Sequence, residues 1–348
     1  MGRLSVSLSG LVLASSEEIK VVRRPVCPMC GSNGHAIYEG LSDQLFAVPG
    51  DWNLKECRSC DLLWIDSLPS NPADLYRNYY THEENAWGLK EASIKSKLLS
   101  AAFAYRENFP VTWPQRFFYQ ALGRLRAMRD YAGGAVMWLE KIPGGKLLDI
   151  GSGSGEFLAR MRDLGWQAEG REFDEGAVAF SRQRYSLNIM HGGLPAQELN
   201  SQEYDAVTLS HVIEHVVDPF TYFVEANRLL KVRGRLVIVT PNRHSLAHRL
   251  FKCDWRGLES PRHFHVFSEN GLKEIANKAG FVIRELRTTS RTARHIFASS
   301  EQIRAKRLGL APRKWVQVFA IPFQVIETLL NVFVDCGEEV LLIAEKRG

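Results

Sequence analysis

The chain predicts an α/β fold, a doubly wound sheet preceded by a small metal-binding module. Three observations carry this. Lys146 to Leu158 reads as a short apolar strand, an acid, a turn with glycine at alternate positions, then a helix. Apolar strands alternate with helix-spaced segments from there almost to the last residue. Two CxxC pairs, Cys27/Cys30 and Cys57/Cys60, stand ahead of them.

A length of 348 residues suits one large α/β domain plus a small appendage. With 45% apolar and 24% charged residues, the composition is that of a soluble globular protein. The net charge of +5 permits an anionic partner without demanding one. Four of the six cysteines fall in the CxxC pairs, which points to metal rather than disulfides and so to a reducing, cytoplasmic compartment. Residues 1–24 read as a disordered leader. Leu4 to Ala14 is weakly apolar but broken by serines and a glycine, a poor secretory signal. No window of about 20 residues is a clear membrane span.

Residues 25–80 form the first module. Each CxxC places two thiolates on one turn. Two such turns close a four-cysteine zinc site with no open position, which is structural rather than catalytic. Redox chemistry is disfavoured because neither pair lies between a strand and a helix. The aromatic residues of the module either line a ligand site or pack a core poor in aliphatics. Residues 81–141 read as a helical linker and cap. Its helices are expected over Leu89–Arg106 and Phe117–Leu139, with interruptions at Pro110, Pro114 and Gly133-Gly134. Phe117, Phe118, Tyr119, Tyr131 and Trp138 are expected in the core.

The main domain is expected over residues 142–348. Gly151, Gly153 and Gly155 let the backbone turn sharply and approach a ligand, and the next helix aims its free N–H groups at it. The dinucleotide fingerprint needs a third glycine where Glu156 stands. Asp149 suits a cationic group such as an amino-acid ammonium. Glu172 lies about twenty residues after the first glycine, where an acid accepts hydrogen bonds from ribose hydroxyls of any adenosine-bearing cofactor. Further strands are expected at Gln167–Glu172, in Asn188–Leu194 (a short strand ending in a glycine turn at Gly192 and Gly193), and at Tyr204–Ser210, Gly234–Thr240, Gly280–Leu286 and Gly337–Glu345.

Asp149-x-Gly-x-Gly-x-Gly155, Gly170-Arg-Glu-Phe-Asp174 and Ser210-His-Val-Ile-Glu-His-Val-Val-Asp-Pro219 resemble the first, second and fourth motifs of the class I S-adenosylmethionine-dependent methyltransferases. The runs CPMCGS, CRSC and LYRNYYTH resemble the zinc-binding N-terminal module of bacterial methyltransferases that act on sugars or surface-polysaccharide precursors. The resemblance covers roughly residues 25–80 and 130–345. It implies a seven-stranded Rossmann-like sheet whose last strand inserts antiparallel, with a helical insertion at about residues 290–335 before that strand. S-adenosylmethionine would be held by Asp149, Gly151, Gly153, Gly155, Glu172, Phe173, Gly193, Leu194, Ser210 and His211. Zinc would sit on Cys27, Cys30, Cys57 and Cys60. Two departures stand out: Arg171 occupies a place more often apolar, and Asp61 one where glycine usually follows the last cysteine.

For catalysis, His215 is a candidate general base oriented by Glu214, because an imidazole takes a hydroxyl proton near neutral pH. His211 and His263 are rival candidates, and His215 could equally do no more than brace its loop. His211 and His215 are four apart and invite a metal, but the HExxH order of zinc proteases is absent. The run PRHFHVFS resembles the last active-site loop of the family, so Asn242, Arg262 and His263 are candidate substrate contacts. In the insertion, a basic stretch from Arg291 to Lys314 precedes Trp315–Val334, whose polar residues Gln317, Gln324, Glu327 and Asn331 fall on one narrow face. Pro322 should kink or split it. Residues 304–334 therefore suit an anionic membrane surface, or else pack on the protein or across a dimer. The expected function is methyl transfer to a small or lipid-linked acceptor, a saccharide or polysaccharide precursor. The alternatives are a nicotinamide-dependent sugar oxidoreductase and a non-catalytic adaptor. No nucleic-acid partner is expected, and the oligomeric state is open.

Overall fold

A computed structural model describes residues 19–72, 75, 93–311 and 316–348. Most of the expected leader, the LYRNYYTH run after Leu75, and Arg313 to Trp315 lie outside the described residues.

In the N-terminal module, β1 (Val21–Arg23) pairs antiparallel with β5 (Ser67–Pro69). The strands β2 (His35–Leu41), β3 (Trp52–Glu56) and β4 (Leu63–Ile65) form an antiparallel meander. One cysteine turn precedes β2, and the other joins β3 to β4. Three helices follow: α1 (Ile94–Ala102), α2 (Trp113–Leu122) and α3 (Arg126–Gly133). Pro114 does not interrupt a helix. It lies in the first turn of α2, where a missing N–H costs nothing, behind a Thr112/Gln115 capping box. The helix expected from Phe117 ends at Gly134, as the Gly133-Gly134 pair predicted, but is also broken at Gly123, which was not expected. Phe117, Phe118 and Tyr131 face solvent rather than the core, Phe117 at 71% exposure. Trp138 alone of that set is fully buried, donating to Asp130 at 3.1 Å.

The large sheet runs β12-β13-β10-β9-β6-β7-β8. Its members are β6 (Lys146–Ile150), β7 (Gln167–Glu172), β8 (Asn188–His191), β9 (Tyr204–Ser210), β10 (Leu230–Pro241), β12 (Phe281–Thr289) and β13 (Glu339–Lys346). β13 is antiparallel to both neighbours, as expected. The helices α4 (Glu156–Asp163), α5 (Glu175–Tyr185), α6 (Pro219–Leu229) and α8 (Glu269–Lys278) connect the strands. Asp174, Asp218 and Ser268 cap three of these helices with their side chains. The short α7 (Leu246–Phe251) follows β10. The two-residue strand β11 (His265–Val266) leaves the large sheet and pairs with β4. The small sheet is therefore β11-β4-β3-β2, completed by a segment some 200 residues downstream. Cys27, Cys57, Cys60 and Trp64 share one buried cluster with Leu148, Ile213, Phe267 and Leu342, so the module and the large sheet have a common core.

The insertion consists of α9 (Ala293–Arg307) and α10 (Val316–Val334), with Pro322 inside a continuous helix. Of the narrow polar face of α10, Glu327 and Asn331 point inward and Gln324 is half-buried, whereas Gln317 is exposed. Glu327 accepts from the Glu338 N–H at 3.1 Å. Asn331 accepts from Gly337 N–H at 2.8 Å and donates to the Thr288 carbonyl at 3.2 Å. The wide apolar face points outward. Val318, Phe319, Ile321, Val325, Ile326, Leu329, Val332 and Phe333 are all exposed, Phe333 at 84%.

Candidate active site and cysteine cluster

At the carboxyl end of β6 the backbone of Gly151, Gly153 and Gly155 has φ of +70°, +52° and +77°. A Cβ at Gly153 would meet none of the described residues within 4 Å, so among them this turn opens onto free space. Glu172, at the end of β7, braces the turn. Its carboxylate accepts from Gly153 N–H at 2.7 Å and Asp174 N–H at 2.9 Å, which leaves each oxygen a further lone pair. Asp149 is buried beneath, accepting from the Thr208 hydroxyl at 2.6 Å. Burial pushes its pKa up to about 7, against the Thr208 hydrogen bond and with the help of nearby Glu172. Ser152 Oγ is buried with no hydrogen-bond partner among the described residues. Phe173 is exposed and presses on Gly193, and Leu194 is buried beyond it. A glycine turn onto open space, an acid with spare acceptors and an unpartnered hydroxyl suit the adenosine and amino-acid parts of S-adenosylmethionine.

Ser210 and His211 end β9 at the same sheet edge. His211 adopts φ +55°, and its ring lies between two carboxylates: Nε2 is 2.9 Å from Glu339 and Nδ1 3.3 Å from Glu214. Burial opposes its charge, but Glu214 and Glu339 outweigh it and push its pKa up to about 10. Burial likewise disfavours charge on the two acids, yet His211 draws Glu214 down to about 2, and Arg291 with His211 does the same to Glu339. Arg291 reaches Glu339 at 3.3 Å.

His215 sits one turn on. Its Nδ1 lies 3.1 Å from the Arg262 carbonyl. A carbonyl only accepts, so Nδ1 carries a proton, and in the neutral ring the lone pair is then on Nε2. The His263 ring packs edge-on against it, with centroids 4.6 Å apart. His263 is itself buried, its Nδ1–H donating to the Gly257 carbonyl at 2.8 Å. Burial and the neighbouring His215 lower its pKa to about 4. The Glu214 carbonyl accepts from the Phe264 and His265 N–H groups at 2.8 and 3.2 Å, which fixes the 262–265 backbone against the histidine motif. Sequence spacing offered His211 and His215 as a metal pair, a reading set aside for want of the HExxH order. The structure instead gathers the ligand atoms of Glu214, His215 and His263 within 4.8 Å of one another.

Two predicted substrate contacts are placed elsewhere. Asn242 is buried, donating to the Gly337 carbonyl at 2.8 Å and accepting from His244 N–H at 3.0 Å, and so latches β10 to the start of β13. Arg262 is fully buried and forked onto Asp43 at 2.7 and 3.2 Å, with Glu259 at 3.1 Å. Asp43, Glu259 and Glu339 were not foreseen. A Glu338-Glu339 pair opening an otherwise apolar strand was the one available signal.

The four cysteine sulfurs lie within 4.8 Å of one another, Cys27–Cys60 at 3.5 Å and Cys30–Cys57 at 3.4 Å. A tetrahedral zinc with Zn–S of about 2.3 Å spaces its sulfurs by about 3.8 Å, so the cluster fits that ion. The knuckles match: the Cys27 and Cys57 carbonyls each accept at 2.9 Å, from Gly31 and Asp61 N–H. Gly31 and Asp61 have φ of +74° and +61°. Aspartate is among the few side chains that visit this region. Here its carboxylate also reaches Arg243 at 2.9 Å and His244 at 2.6 Å, tying the knuckle to the segment after β10.

Residues 121–286 match a family described as a methyltransferase domain. A probable S-adenosylmethionine-dependent methyltransferase of Mycolicibacterium smegmatis is 30% identical over 146 residues, 41% of this chain and 54% of that protein. A ubiquinone biosynthesis O-methyltransferase of Acinetobacter baumannii is 28% identical over 143 residues, 38% of this chain and 58% of that one. The chain thus spans a little over half the length of these relatives. An S-adenosylmethionine-dependent methyltransferase structure from Mesorhizobium loti aligns with 62% of this chain and 97% of its own, at 17% identity and a TM-score of 0.45. The strand order, the reversed last strand and the glycine cradle are those of the class I S-adenosylmethionine-dependent methyltransferase fold, joined here to a cysteine cluster that fits structural zinc.

Proposed function

We propose that this chain transfers a methyl group from S-adenosylmethionine to a hydroxyl of a small or lipid-linked acceptor, with His215 Nε2 as the base. The observation that carries the base assignment is the fixed tautomer of His215, whose Nδ1 proton is held by the Arg262 carbonyl. When bound, the cofactor supplies an electrophilic methyl on a sulfonium. The chain holds that group in the 151–155 cradle, orients the acceptor and takes up the hydroxyl proton. His211, held as a cation between Glu214 and Glu339, has no lone pair to offer at neutral pH. Its part is to donate to the acceptor or to keep the acids in place. Residues 142–348 would form the methyl-transfer unit, with residues 25–80 as its zinc module.

A saccharide or polysaccharide precursor is the acceptor we favour, supported by the resemblance of the N-terminal module. The Acinetobacter baumannii relative, named for ubiquinone biosynthesis, supports a prenylated phenol as the second reading. Both would place the chain at the cytoplasmic face of a membrane, where the outward apolar face of α10 would rest. Contrary to the expectation that no window is a clear span, Val316–Val334 is long and apolar enough, by length and composition, to cross one, with 28% of its 18-residue window buried.

The test is methyl transfer from radiolabelled cofactor to two panels, nucleoside-diphosphate or prenyl-diphosphate saccharides and prenylated phenols. His215→Gln should lower turnover about 10²–10⁴-fold while cofactor affinity is kept. Full turnover in His215→Gln would overturn the base assignment. Flotation with vesicles, with and without anionic lipid, tests the membrane reading, and a chain that stays unbound to both refutes it.

A further inference from the structure

Asp43 lies in the loop between β2 and β3 of the cysteine module, 219 residues from Arg262. Its carboxylate is shaped locally, accepting from Leu45 and Phe46 N–H at 2.9 and 3.1 Å. It then accepts both ends of the Arg262 guanidinium at 2.7 and 3.2 Å. Glu259 takes the third side of that guanidinium at 3.1 Å, and the Phe46 ring lies beneath it at 4.2 Å. The guanidinium therefore has one placement. Its backbone follows, and the Arg262 carbonyl is the group that fixes the His215 tautomer at 3.1 Å. The next residues continue the restraint, since His265 and Val266 pair with Trp64 and Leu63 of the module.

We infer that Asp43 is a positioning residue for the His215 base: the cysteine module acts as a clamp that sets the tautomer of His215 through Arg262. This rests on the assignment of His215 as base, but its test does not. The geometry favours this role over substrate recognition by the module. Arg262 is fully buried, and its fork is taken up by carboxylates of the protein itself.

The experiment uses the full chain loaded with zinc and labelled with ¹⁵N-histidine, its ring signals assigned through His215→Gln and His263→Gln. In the parent protein the two His215 ring nitrogens should be well separated, as a single fixed tautomer requires. In Asp43→Asn the fork loses its charge partner and that separation should shrink toward the tautomeric average, with zinc content and cofactor affinity unchanged. Asp66→Asn serves as control. It removes another carboxylate of the module, one that pairs with Arg23 and Lys55 and not with the loop, and it should move neither ring. Should Asp43→Asn fail to fold, Arg262→Lys gives the same readout, because lysine keeps the charge but cannot fork. Unmoved His215 signals in the folded variant overturn the clamp, whatever the turnover. Moved signals with full turnover in His215→Gln uphold the clamp and sink the base assignment alone.

Discussion

Gly151 and Gly153 share a left-handed backbone but not a neighbourhood, so the same substitution should have different consequences. Alanine in that region costs about 1–2 kcal/mol. At Gly153 a new methyl meets none of the described residues within 4 Å, so the conformational cost is the expected cost. For a domain of this size that is a fall in melting temperature of roughly 2–8 °C. The methyl would, however, fill the space the cradle leaves for a ligand, beside the N–H that Glu172 holds at 2.7 Å. Gly153→Ala should therefore remain folded and lose at least about tenfold in cofactor affinity, roughly 1.4 kcal/mol. At Gly151 the methyl falls 2.4 Å from Val212 Cγ2. Valine is stiff at χ1 and cannot swing aside cheaply. Overpacking adds about 1–3 kcal/mol, so Gly151→Ala should melt well below Gly153→Ala. Thermal unfolding and calorimetric titration with S-adenosylmethionine check both. Parental affinity in Gly153→Ala would show that the cofactor does not use this turn. Equal melting temperatures for the two variants would refute the packing of Val212 against it.

Three further outcomes are expected. Burial holds a proton on Asp149 up to about pH 7, and a cationic ligand selects its carboxylate form. Cofactor affinity should then fall about tenfold per unit below pH 7, and Asp149→Asn should flatten that profile in calorimetry. His248, His263 and His265 are buried neutral, with pKa lowered to about 4, 4 and 3, so the unfolded chain binds more protons than the folded one between those values and about 6.5. Melting temperature should drop as pH falls from 6.5 toward 4, whereas the contribution of His211, with its pKa raised to about 10, is lost as pH rises from 6.5 toward 10; a melting temperature flat from pH 7 to 5 contradicts this. Because three of the four cysteines lie in the core shared with the large sheet, Cys60→Ser should abolish stoichiometric zinc in metal analysis and lower the melting temperature of the whole chain in one transition. A separate low-temperature step would mean the module melts alone.

The strand positions were legible because strand ends carry local signals: glycines after β6, an acid ending β7, the histidine motif after β9. Zinc ligands were legible for the same reason, since a CxxC turn is a complete local statement. What escaped was whatever depends on distant partners. Nothing near Arg262 announces that Asp43 will take its charge, so a buried guanidinium read as an anion site. The periodicity of α10 gave two faces but not their direction. That was decided by the backbone groups at Thr288, Gly337 and Glu338, which need polar partners and draw Asn331 and Glu327 inward. Phe117 and Phe118 read as core because aromatics usually are, yet the next layer over α2 is solvent.

The two exposed-end histidines of the motif differ in chemistry because of what surrounds them. His211 stands between Glu214 and Glu339, with Arg291 as second counter-charge. Two buried acids and two partly exposed cations balance there, and removing the histidine leaves the buried acids short of a counter-charge. Loss of activity in a His211→Ala variant would thus report a collapsed charge balance as readily as a missing catalytic group. His215 faces the Arg262 carbonyl through Nδ1 and the edge-on ring of His263, with Glu214 close by. Four residues apart on one turn, the first histidine is suited to fix charge and the second to move a proton. The sequence shows two equivalent imidazoles; the acid at the start of β13 and the carbonyl at Arg262 make them different.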